Sequence, residues 1–168
     1  MWNRIYLIAL AVFIIPLSFL TYYSYSWLTS IGSPRAASDG FLYHTDFAWK
    51  LLWLSTIILV VLANVVLAKY RQSWAIWTTF VYFAVFVVIR YLWLQRSYLQ
   101  FSLENGFTDG GWAFGPVFAV LLCAGAAVVL FSNQLLVNRM SERLHPTVME
   151  TNSDEVDLDI NIKKVPEN

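Results

Sequence analysis

The sequence predicts an all-α, polytopic integral membrane protein with four transmembrane helices in an antiparallel bundle. Three observations predict it. Of the 168 residues 58% are apolar and only 13% charged, whereas soluble domains carry about a quarter charged residues. Four segments each supply the ~20 mostly apolar residues needed to cross ~30 Å of hydrocarbon at ~1.5 Å per residue. Aromatic residues gather at the ends of these segments, where amphipathic rings suit the headgroup level.

The first run, about 5–23, follows Arg4 and could be a cleaved leader. Its apolar core is long for that, and no small-x-small cleavage site follows before Ala36 and Ala37, so a retained helix is expected. The second and third runs, about 49–68 and 74–94, are separated only by "KYRQS", which makes them antiparallel neighbours. The fourth run is about 112–137. Trp2, Tyr6, Tyr22 to Trp27, Trp49, Tyr70, Trp74, Trp93 and Trp112 mark the boundaries. Arg4, Lys69, Arg71, Arg139 and Arg143 flank one side, against Arg35, Lys50 and Arg96 on the other. This bias predicts both termini in the cytoplasm, and the cell membrane, specifically a bacterial inner membrane, as the location.

Two connections fall on the far side. "SIGSPRAASDG" reads as turns without regular structure. After Tyr91, by contrast, apolar and polar residues keep a helical spacing until "ENG" places Gly106 past a helix end. The third helix is therefore expected to run about three turns beyond the bilayer. At the C-terminus, helix four continues through "NRMSERLH" until Pro146. Residues 146–168 then hold six acids against Lys163 and Lys164, and an acidic, disordered cytoplasmic tail is expected. Within it Val156, Leu158, Ile160 and Ile162 alternate with polar residues, the period of a strand that could add to a partner's sheet edge.

Little chemistry is on offer. Cys123 is the single cysteine, which excludes an intrachain disulfide, a redox pair and a multi-cysteine metal site. His44 and His145 lie outside the apolar runs, so no pair of histidines can hold a membrane haem. No cofactor and no nucleic acid are expected, and no phosphate loop, Ser/His/Asp set or metalloprotease motif occurs. His44, Asp46, Glu104 and Asp109 are ligand types for a divalent cation, but their spacing argues for solvated loops and for no metal.

Within the spans, Gly115, Ala119, Cys123 and Ala127 recur every four residues along one side of helix four. Small residues in this pattern let helices approach closely, with the partner in this chain or in another copy. Asn64, Thr78, Thr79, Ser132 and Asn133 form a polar layer at similar depth. Interhelical hydrogen bonds of ~1 kcal/mol each are the expected use, a ligand pocket the alternative. Arg90 stands ~24 Å along the third helix from Trp74, near the far interface, and its side chain leans back toward the membrane because helical side chains tilt N-terminally. Asp46, Asp109 or the hydroxyls of Tyr22 and Tyr23 are its expected partners in a structural pair. A lipid headgroup or substrate on the face it shares with Tyr82, Phe86 and Trp93 is the alternative.

These observations favour a non-catalytic subunit, scaffold or assembly factor of a membrane complex. Its contacts would be membrane lipid, a protein partner or second copy through helix four, and a partner for the tail. An oligomeric small-solute transporter or channel, and a lipid-modifying enzyme with its site at the outer leaflet, are the alternatives.

Overall fold

A computed structural model describes residues 1–30, 32–107 and 114–144, with Ser30 and residues 141–144 described by backbone alone. Among them all regular structure is helical. The elements are α1 (Trp2–Ser30), α2 (Pro34–Tyr70), α3 (Trp74–Val88), a six-residue π-helical segment (Ile89–Leu94), α4 (Gln95–Glu104) and α5 (Gly115–Leu144). Four stretches are long and apolar enough to cross a membrane: Trp2–Thr29, Pro34–Tyr70, Trp74–Glu104 and Gly115–Met140. Each contains one of the four expected runs or, for α5, most of it.

The helices outrun those apolar runs. At 37 residues α2 is ~55 Å long, far more than the ~30 Å hydrocarbon thickness. The excess lies at its N-terminal end, in the segment expected to be irregular, and this corrects that expectation. Ser33 has the extended backbone of an N-cap, and Pro34 occupies the first turn, where its fixed φ and missing N–H suit a helix start. Gly40 looks like a turn residue, but the Trp27 ring of α1 packs where its Cβ would be. Close packing, and not a turn, explains this glycine. At the other end of α2, Arg71 takes the left-handed conformation (φ 52°) and its N–H returns to the Leu67 carbonyl 2.8 Å away, a left-handed C-cap made without glycine.

The helical extension after the third apolar run does form, as α4, and it ends at Asn105 and Gly106, the latter at φ +73°. Together the N-terminal part of α2, the end of α1, the last residue of the π-helical segment and α4 build a small second core of Leu28, Phe41, Leu94 and Tyr98. We refer to this as the cap end. The main core lies beneath it, formed by Leu17, Leu52, Leu59, Val66, Phe83 and Val87 among others. Hydrogen bonds fix the helix directions: Ser38 meets Tyr98 and Ser55 meets Tyr82, so α2 runs opposite to the chain from α3 to α4. Asn64 meets Asn133, late in both α2 and α5. Asn3 reaches Gln72, which puts the start of α1 beside the α2–α3 turn, at the end opposite the cap.

Candidate functional site

Arg90 is the one arginine or lysine in the interior of the third apolar run, and the structure places it on the second residue of the π-helical segment. Its Nη1 donates to the backbone carbonyl of Thr45 in α2. The guanidinium lies 4.8 Å from the centroid of the Trp49 ring and 5.8 Å from that of Tyr91, a cation–π arrangement that favours a partly desolvated positive charge. Its Nε is buried with no hydrogen-bond partner. Beside it is a void of about 20 Å³ bordered by Thr21, Thr45, Trp49 and Leu94, enough for one water molecule.

The partners expected for Arg90 are differently engaged. The Asp46 carboxylate is 2.7 Å from Lys50, one turn along the same helix, with both side chains well exposed. That pair also shows the level of the site: Arg90 meets α2 beside a solvated ion pair, at the rim of the apolar region. Asp109 lies outside the described residues. Tyr22 and Tyr23 are exposed, and Tyr23 packs against His44 with ring centroids 4.9 Å apart. His44 also contacts Trp27 and Tyr43, and Glu104 accepts from Gln100 at 3.0 Å. The residue types considered for a cation therefore sit in separate contacts, and among the described residues no three His, Cys, Asp or Glu side chains converge.

The polar layer resolves into distinct contacts. Asn64 and Asn133 exchange two amide hydrogen bonds, of 3.3 and 2.6 Å, that join α2 to α5. Thr79 is fully buried, bonds back to the Ala75 carbonyl and meets the Tyr6 hydroxyl at 2.9 Å. Thr78 donates to the Trp74 carbonyl of its own helix. Ser132 is exposed on α5 and takes no part. The small-residue side of α5 faces this same chain: Gly115 lies against the Gln95 side chain, while Ala119 and Cys123 belong to the main core or pack on it. Ala127 borders a contact with Ile76 and Phe80 of α3.

Sequence reasoning missed three tyrosines. Tyr6, Tyr82 and Tyr98 are buried, and their hydroxyls meet Thr79, Ser55 and Ser38 at 2.9, 2.7 and 2.8 Å. Tyr6 reads as an interfacial anchor, Tyr82 as part of the face beside Arg90, and Tyr98 has no expected role, but the rings point inward and the hydroxyls find small hydroxyl partners on a facing helix. A signal was present: from Ser38 to Ser55 along α2, the partner moves back from Tyr98 to Tyr82 by nearly the same number of residues.

Two open apolar grooves flank the core, each of about 460 Å³. One runs between α1 and α3, past Ile14 and Val85. The other runs between α2 and α5, past Trp53, Ile57, Gly125 and Val129. No family model, no curated protein and no solved structure matches the chain.

Proposed function

We propose that this chain is a non-catalytic subunit, scaffold or assembly factor of a membrane complex. It would act as an antiparallel four-helix bundle in a cell membrane, with both termini in the cytoplasm. The observation that carries this reading is the use made of the buried polar groups in the apolar spans and at the cap end. Tyr6–Thr79, Ser55–Tyr82, Ser38–Tyr98 and Asn64–Asn133 each join two helices, and Arg90 joins the π-helical segment to α2. Side chains committed to helix–helix contacts give a fixed frame, which is what a scaffold needs.

A transporter or channel would need polar groups turned toward a shared path. The reciprocal Asn64–Asn133 pair instead satisfies the most polar side chains of its layer within the chain. α5 presents Val117, Leu121, Val128 and Leu136 outward, an apolar surface suited to lipid or to a partner's transmembrane helix. The tail at Val156, Leu158, Ile160 and Ile162 offers a second contact by strand addition.

Purification in a mild detergent, with identification of co-purifying proteins and native mass, tests the reading. A stoichiometric partner, lost or weakened when residues 147–168 are deleted, is the expected result. A monomer of 19.3 kDa with no protein partner under conditions that preserve known membrane complexes would overturn it.

A further inference from the structure

Three helices bring one continuous surface together beneath Arg90. On α2, Trp49 and Trp53 are one turn apart and in edge contact, with ring centroids 5.7 Å apart. On α3, Phe83 is seven residues before Arg90, two turns along the same face, and its ring meets Trp53 at 5.3 Å. On α5, Phe118 approaches Tyr91 at 6.4 Å, and Leu122, Gly125 and Val129 continue down that side. The α2–α5 groove of about 460 Å³ opens one turn below Trp49 and Phe118 and ends at Asn133. Arg90 is linked to this groove through Trp49, whose ring the guanidinium faces and which touches Trp53 on the groove wall, while the small void at Arg90 itself is bordered by Thr21 of α1.

Charge identifies the occupant. The guanidinium has a carbonyl and two aromatic rings around it; Asp46 is within electrostatic reach of it, but among the described residues the direct ion pair of that carboxylate is with Lys50. Rings and a carbonyl hold a cation in place without neutralising it. A phosphodiester suits the planar fork of an arginine, and the level of Arg90 beside the exposed Asp46–Lys50 pair is that of lipid headgroups. Length agrees as well. The groove wall from Leu121 to Asn133 extends ~18 Å, close to the ~15 Å of one leaflet, half of the ~30 Å hydrocarbon layer. Gly125 deepens the groove at its middle, since a Cβ there would meet nothing within 4 Å.

We propose that this surface is a specific site for one anionic phospholipid, with its phosphate on Arg90 and one acyl chain in the groove between α2 and α5. The π-helical segment is the positioning device: its wide turn carries Arg90 toward Thr45 and Trp49, and π turns of this kind recur at functional sites. The site holds whether or not a protein partner exists.

The test uses the full chain, delipidated in a non-ionic detergent and titrated with phosphatidylglycerol, with diacylglycerol and with inorganic phosphate. Native mass and thermal midpoint are read together. Phosphatidylglycerol should give a one-to-one adduct and raise the midpoint, while the other two at equal concentration do neither. Arg90→Gln and Gly125→Phe should each weaken the adduct at least tenfold. Gly125→Phe guards against a folding defect in the first variant, because its side chain enters open space. Val85→Phe, in the α1–α3 groove, should bind as the parent does. Equal binding of diacylglycerol, equal protection by inorganic phosphate, undiminished binding by folded Arg90→Gln or by Gly125→Phe, or equal loss in Val85→Phe would each overturn the proposal.

Discussion

Asn64 and Asn133 each give and accept one hydrogen bond across the α2–α5 contact. Removing one partner leaves the other amide with a donor and an acceptor unmet in an apolar setting, which costs more than the bond contributed. Asn64→Leu should therefore destabilise the protein by about 1–2 kcal/mol, and Asn133→Leu by a similar amount. The double variant should lose clearly less than the two added together, because two apolar side chains can pack where two amides paired. Denaturant unfolding in detergent of the two single variants and the double variant measures the coupling, and strict additivity would show that the amides act independently. This pair, with Thr79, was legible in the sequence because amides and hydroxyls stand out in apolar runs. Tyr6, Tyr82 and Tyr98 were not, because tyrosine serves equally as interfacial anchor and core residue, and only the facing helix decides which.

The same division holds for whole elements. Four helices were legible from length and apolarity, which fix what a segment needs from its solvent. The N-terminal part of α2 was not, because Ser33, Pro34 and Gly40 have two meanings: turn residues in isolation, or N-cap, first-turn proline and packing site within a helix pair. Gly40→Ala decides between them. Helix propensity alone would make alanine better by about 1 kcal/mol, but its methyl would sit within the Trp27 ring, and such overpacking costs about 1–3 kcal/mol. Net destabilisation is expected, seen as a lower thermal midpoint and faster hydrogen exchange across Pro34–Thr45. The π-helical segment was illegible for a different reason. On a straight α-helix the buried face of α3, with Ile76, Phe83 and Val87, and that of α4, with Gln95, Tyr98 and Ser102, are out of phase by about one residue, ~100°. The π turn absorbs this slip, and two of the three residues that reveal it are polar. Deleting Leu92 should accordingly yield a regular helix that keeps Tyr98 against Ser38 and folds with a midpoint close to the parent's. Inserting an alanine after Leu92 doubles the slip and should expose the cap core to exchange. Equal damage from both changes would rule out the π turn as a phase corrector.

For the whole molecule the remaining question is which way it lies in the membrane. Arg4, Lys69, Arg71 and Arg139 belong to the end where Asn3 meets Gln72, while the cap end carries Arg35, Lys50 and Arg96. Basic residues in short segments near span ends are retained on the cytoplasmic side, so the α2–α3 turn should face the cytoplasm and the α1–α2 turn the opposite side. The single native cysteine makes this measurable. Cys123 is half-buried on α5 against the main core, within the apolar span, where a charged, membrane-impermeant maleimide does not reach it. Gly32→Cys places a thiol in the α1–α2 turn with open space around its Cβ, and Gln72→Cys places one in the exposed α2–α3 turn. In intact cells, or spheroplasts where an outer envelope blocks the reagent, Gly32→Cys should label and Gln72→Cys should not, with both labelling after permeabilisation. The reverse pattern would invert the orientation, moving the headgroup level beside Arg90 and the Asp46–Lys50 pair to the cytoplasmic leaflet while leaving the groove and its charge unchanged.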